Sequence, residues 1–293
     1  MRTKVITALK IAFIVAALYL VFNKIDFKES ASLLEEMDLT FFGGAFVCSV
    51  ISMLISGVRS QHYFNEFSLT IPKKYMVKLY FAGAFLNLAL PGGIGGDGYK
   101  IYHIHKHFHF PKLKAFRIVL YERVNGFYVL CIFGFIIAYF SNFIRLPYAS
   151  IINTTLLILI TPCYIIGIKF VLKDKFSAAW KATWYSIWVQ LLQVCMAALL
   201  VRGLAPDASS SLYLDFIVLF VAASILAIVP ISIGGIGIRE LTFLYGFKLL
   251  DMPEHMLALG VSFALASFFV YVLTVMLGAL FFNSKLQNKS FKT

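Results

Sequence analysis

A ten-residue pattern, P-x-x-I-G-G-x-G-x-[KR], interrupts the apolar stretches of this chain twice, 139 positions apart. The first copy reads Pro91-Gly-Gly-Ile94-Gly95-Gly96-Asp97-Gly98-Tyr99-Lys100 and the second Pro230-Ile-Ser-Ile233-Gly234-Gly235-Ile236-Gly237-Ile238-Arg239. A proline and three glycines break a helix, because proline lacks the backbone donor and glycine costs the most entropy to order. Each copy nevertheless follows a strongly apolar segment. Irregular backbone at membrane depth survives only where protein buries it or it lines a wet cavity. Paired Gly/Pro interruptions in the two halves of a membrane chain therefore point to a binding site where the two meet.

That the setting is a membrane follows from composition. The chain is 60% hydrophobic and 14% charged, against about 25% charged in soluble domains. No polar block is long enough for a soluble catalytic domain, so residues 1–293 are expected to form one membrane domain. The net charge of +12 fits cytoplasmic loops rich in Lys and Arg, with added attraction to anionic headgroups. Cys48, Cys131, Cys163 and Cys195 lie in separate apolar stretches, without the paired spacing of a disulfide framework or zinc site. The amino-terminal segment resembles a signal sequence, but no small-residue cleavage site precedes Asn23, and an uncleaved first helix is expected.

Six segments have roughly the 20 residues a crossing needs: Val5 to Phe22, Leu39 to Val58, Arg117 to Phe140, Ala149 to Phe170, Ala182 to Val201 and Met256 to Phe282. Two further apolar segments, Met76 to Leu90 and Leu212 to Val229, run into the repeats. Loop charge orders them. Arg2, Lys4 and Lys10 place the amino terminus inside, and the acidic loop from Asp26 to Asp38 lies outside. Arg59, Lys73, Lys74 and Lys78 are inside, as are Lys100, Lys106, Lys112 and Lys114. The first repeat therefore enters and leaves by the same face. Arg145 falls outside, Lys169 to Lys181 inside, Asp207 and Asp215 outside, and the tail with Lys285, Lys289 and Lys292 inside. That order requires the second repeat to be re-entrant from the outer face; were Leu212 to Val229 a plain crossing, the inversion would vanish. The expected fold is an all-α polytopic membrane protein. It has about six full transmembrane helices plus two re-entrant Gly/Pro-rich helical hairpins in an inverted repeat: residues 39–140 with a hairpin at 91–100, and 182–283 with one at 230–239.

The candidate site residues are Gly95, Gly96, Asp97, Lys100, Glu122, Arg123, Gly234, Gly235, Arg239, Glu240 and Arg59. Glycine amides at a hairpin centre form anion nests, and Lys100 and Arg239, at matching repeat positions, supply cations for phosphate. The competing reading is that the glycines only allow close helix approach. Glu122 and Arg123 lie at membrane depth, where ionisable groups face a partner or a wet pathway. Arg59 and Arg123 also stand near helix ends, from which they can snorkel. Asp97 either couples a proton or cation, or caps the helix that follows. His103, His105, His107 and His109 would share one face of a strand and could then bind metal, but their aromatic and basic neighbours fit a headgroup-level segment. Gly93 to Gly98 spells G-x-G-x-x-G without the strand a dinucleotide site needs. Tyr99 separates Gly98 from Lys100, which rules out a P-loop. No Ser/His/Asp or Cys/His set assembles by spacing.

At these residues the chain resembles the transmembrane domain of lysylphosphatidylglycerol synthase/flippases. The resemblance rests on Leu90 to Lys100, on Glu122-Arg123, and on Pro230 to Glu240, and it covers nearly the whole chain. It implies movement of an aminoacylated phosphatidylglycerol between leaflets, without the soluble synthase part of two-domain members. Lys100 stands where the family commonly has Arg, keeping the charge but losing bidentate geometry. Stand-alone relatives handle varied lipids, polyprenyl-linked glycans included. The expected activity is a flippase moving the headgroup of an aminoacyl-phosphatidylglycerol-like or polyprenyl-phosphate-linked lipid across the inner (cytoplasmic) membrane, with both termini cytoplasmic. The alternatives are an integral-membrane transferase on a lipid phosphate, or a non-transporting subunit of a lipid-modifying complex. The expected substrate carries an anionic or zwitterionic headgroup. A separate lipid-modifying enzyme and a second copy of the chain are the candidate protein partners. No cofactor, metal or nucleic acid is expected.

Overall fold

In lipid every backbone polar group needs an internal partner, so long apolar runs become helices. A computed structural model describes residues 19, 27–89, 95–172, 176–228 and 235–282. Among them are ten α-helices: α1 (Phe27–Glu35), α2 (Leu39–Glu66), α3 (Lys73–Ala89), α4 (Gly95–Phe108), α5 (Lys112–Ala138), α6 (Ala149–Leu172), α7 (Phe176–Leu204), α8 (Ser210–Leu226), α9 (Ile238–Leu249) and α10 (Glu254–Phe282). Five are long and apolar enough to cross a membrane: Leu39–Glu66, Lys112–Ala138, Ala149–Lys169, Trp180–Leu204 and Glu254–Phe281. They coincide with five of the six expected crossings; the sixth, Val5 to Phe22, lies outside the described residues apart from Tyr19. The expected segment Leu212 to Val229 becomes a 17-residue apolar helix, Ser210–Leu226.

Helices α3 and α4 lie antiparallel, with Tyr75 near the start of α3 bonded to His103 in the last half of α4. Helices α8 and α9 do the same, with Phe216 packing edge-on against Phe247. Helix α2 runs antiparallel along α7, and the Asp38 amide before α2 donates to the Gly203 carbonyl at the far end of α7. Two further contacts run between the halves. Helix α3 packs against α10, and α8 packs against α5. Close approach fixes the middle of α3 against α4 and α10. A Cβ at Gly96 would lie 1.8 Å from the Gly83 carbonyl oxygen, and one at Gly278 of α10 would lie 2.1 Å from that of Phe81.

Two hydrophobic cores result, one at each end of the bundle. One gathers Phe216, Phe243, Phe247 and Phe263 with Met37, Leu204 and Leu257. The other gathers Tyr63, Phe64, Ile71, Met76, Phe110 and Ile118. Outward surfaces are apolar as well: Ile151, Ile158 and Ile166 on α6, and Trp180, Trp184 and Trp188 on α7, are all exposed. An exposed apolar surface of this extent is a lipid-facing surface.

Candidate functional site

Between the two cores lies a cavity of about 560 Å³. Its charged wall is built from the register of α4 against α5. Helix α4 begins at Gly95, so Asp97 falls in its first turn and Lys100 one turn later, on the same face. Opposite stand consecutive residues of α5, Glu122 and Arg123. Lys100 Nζ meets Glu122 Oε2 at 2.6 Å, with both side chains about 95% buried (4% and 5% exposed). Arg123 Nε pairs with Asp97 Oδ2 at a more open position. Lys100 also sits 5.1 Å from the centroid of the Tyr80 ring and 3.4 Å from Ser60 Oγ. Two neutral ion pairs therefore stack as rungs, the inner one sealed and the outer one near the opening. Glu122 Oε1 is buried and accepts no hydrogen bond from the described residues.

Arg59 lines the same cavity from α2 and is only 6% exposed. Its burial is incompatible with snorkelling to the interface. Nη1 donates to Ser186 Oγ at 2.7 Å, and Nε is buried without a partner among the described residues. Among the described residues no carboxylate lies within 4.0 Å of it. A relay fixes its position. Ser186 donates to Asn125 Oδ1, and Asn125 Nδ2 donates to Thr183 Oγ1 at 2.7 Å and to the Tyr164 hydroxyl. Every member is buried. Leu120, Val124 and Phe127 complete the α5 side of the wall and are 40–43% exposed. The cavity thus shares one helix with the lipid-facing surface.

Residues 7–279 match the family described as the lysylphosphatidylglycerol synthase TM region. The chain belongs to that family. No curated protein matches it. Membership of the lysylphosphatidylglycerol synthase TM family ties the function to membrane lipids.

Within this family member the two repeat copies differ. Helix α9 begins at Ile238, the counterpart of Tyr99, whereas α4 begins four positions earlier in the pattern, at Gly95. Gly237 takes a positive φ of 83°, and its N–H is held at 2.7 Å by Glu240 Oε2. Glu240 is therefore a buried helix cap. Arg239 lies over the Tyr271 ring at 5.6 Å from its centroid, beneath Gly235, and neither Arg239 nor Glu240 lines the cavity. The Gly96 amide, a candidate for an anion nest, donates at 2.7 Å to Asn87 Oδ1. Gly234 and the proline ends of both copies lie outside the described residues. The structure thus brings Arg59, Gly96, Asp97, Lys100, Glu122 and Arg123 together on the cavity wall, while Arg239 and Glu240 do not line it.

The histidine run is helical through Phe108, not a strand, so the four rings do not share a face. His103 and His107 stack at 4.2 Å one turn apart, and His105 Nδ1 lies 3.0 Å from the Phe110 carbonyl oxygen. The Asn125–Ser186–Thr183–Tyr164 relay was not anticipated from sequence. Its one signal is an amide, Asn125, set within an apolar crossing.

Proposed function

We propose that this chain carries the polar headgroup of a membrane lipid, phospholipid or polyprenyl phosphate, across the inner membrane through the cavity beside α5. The observation that supports this most is the shared wall: buried Arg59, Lys100 and Glu122 on one side, half-exposed Leu120, Val124 and Phe127 on the other. A headgroup fits the charged interior while its acyl chains stay in the bilayer. Moving a bare charge through hydrocarbon costs at least a few kcal/mol, and a fixed polar lining lowers that barrier.

The topology fits alternating access. Helices α4 and α9 have 14 and 12 residues; at about 1.5 Å per residue they reach about 21 and 18 Å. Both fall short of a core about 30 Å thick, as arms of re-entrant hairpins do. The antiparallel α2–α7 pair and the exchanged α3–α10 and α8–α5 contacts support reading the chain as an inverted repeat, 39–140 against 182–283, within one domain. Lys73, Lys74, Lys106, Lys112 and Lys114 gather at the end of the second core, which we assign to the cytoplasm with both termini. Rocking one repeat against the other would open the cavity to alternate faces.

A second reading, a non-transporting subunit that holds a lipid-modifying enzyme, draws on the Gly96 and Gly237 amides, which are already hydrogen-bonded inside the protein. Liposomes separate the two. The purified chain should transfer fluorescent phosphatidylglycerol, lysyl-phosphatidylglycerol or a polyprenyl phosphate between leaflets, and Arg59→Gln should reduce that rate at least about tenfold. Folded protein that transfers none of these lipids favours the subunit.

A further inference from the structure

The charge balance of the cavity wall narrows the lipid, taking the translocation reading as its basis. Five Lys, Arg, Asp or Glu side chains line the cavity: Arg59, Asp97, Lys100, Glu122 and Arg123. Lys100 with Glu122 sums to zero wherever the proton between them sits, and Arg123 with Asp97 also sums to zero. Among the described residues Arg59 has no carboxylate within 4.0 Å, so this wall carries one net positive charge. Two buried polar atoms on this wall lack partners among the described residues, the donor Arg59 Nε and the acceptor Glu122 Oε1. A ligand that completes the site brings one anionic acceptor for Arg59 and one donor for Glu122.

The chemistry of that donor is constrained by its neighbour. Lys100 Nζ is already 2.6 Å from the other oxygen of the Glu122 carboxylate. An ammonium on Oε1 would place a second cation within a carboxylate's width of the first, in a site where charge repulsion is poorly screened. A hydroxyl satisfies Oε1 without adding charge. Gln190 and Ser224 give the rest of the wall neutral polar groups suited to further hydroxyls. The volume of about 560 Å³ lies within the roughly 300–1,000 Å³ of small-molecule sites, enough for a glycerol or a sugar beside the phosphate. We infer that the cavity selects a lipid whose headgroup is a monoanionic phosphodiester bearing free hydroxyls, over zwitterionic and over cationic aminoacylated headgroups.

The test uses the full chain in phosphatidylcholine nanodiscs, titrated with short-chain fluorescent phosphatidylglycerol, phosphatidylethanolamine and lysyl-phosphatidylglycerol. Phosphatidylglycerol should bind at least about tenfold more tightly than the other two, since each of those leaves a buried charge uncompensated. Arg59→Met makes the wall neutral and should abolish that preference. Arg59→Lys keeps the charge and should keep the order of preference while weakening binding, because the fork geometry is lost. Thermal melts confirm that both variants fold. Free glycerophosphoglycerol should compete; failure to compete would assign recognition to the acyl chains and overturn the inference. Lysyl-phosphatidylglycerol binding as tightly as phosphatidylglycerol, or Met and Lys variants with the same selectivity, overturns it too and leaves translocation standing. No binding and no leaflet transfer for any of the three lipids removes both.

Discussion

The Lys100–Glu122 contact is a buried pair whose worth depends on both members being present. Removing one leaves an uncompensated charge in a low-dielectric interior, at a cost of about 3–5 kcal/mol. Lys100→Met should therefore lower the thermal midpoint sharply, and Lys100→Met with Glu122→Met should regain most of it, since apolar replacement of a whole pair is often neutral. Leaflet transfer should stay lost in both. A single variant that melts with the wild type would mean that the pair is solvated. The sequence exposed these residues because charges inside apolar stretches are rare. It did not show who pairs with whom, since that depends on the helix start at Gly95 and on the register of α4 against α5. Arg59 was ambiguous because a cation near a helix end can turn either way; the Ser186–Asn125 relay that fixes it consists of neutral residues too common in membrane helices to stand out.

At the level of elements, the repeated glycines serve distinct ends. Gly96 sits where α4 crosses α3, and a methyl group there meets the Gly83 backbone. Gly98, two positions on, has nothing within 4 Å of a built Cβ. Gly96→Ala should then destabilise by about 1–3 kcal/mol through overpacking, while Gly98→Ala should be neutral or stabilise by up to about 1 kcal/mol as a better helix former. Chemical denaturation in detergent compares them; equal losses would mean that both serve the turn and not the crossing. The repetition of the pattern was legible as sequence. Its divergence was not, because Asp97 faces Arg123 in one copy while Glu240 closes a cap in the other, and only tertiary neighbours distinguish those outcomes.

At the scale of the molecule, the order of ends can be read by labelling. In a cysteine-free background, Ser68→Cys and His109→Cys should react with an impermeant maleimide from one side of the membrane, and Tyr148→Cys and Asp251→Cys from the other. All four positions are exposed and lie between helices. Asp251→Cys labelled together with Ser68→Cys would show that α8 and α9 do not return to the face they entered by. Five of the expected crossings were legible from apolar length, which is a local property. The exchange of contacts between halves was not, because it depends on which surfaces meet after insertion.

That exchange has a consequence for how the chain is made. Helix α3 leaves the ribosome long before α10, the helix it packs against, has been synthesised. Until then the face of α3 that α10 will cover, around Phe81, is open and must be sheltered by the insertion machinery or by lipid. Chains halted before Glu254 should accordingly be cleared by membrane proteolysis even though most of their crossings are already in place, so completion of the last helix is the step that commits a nascent copy to survival.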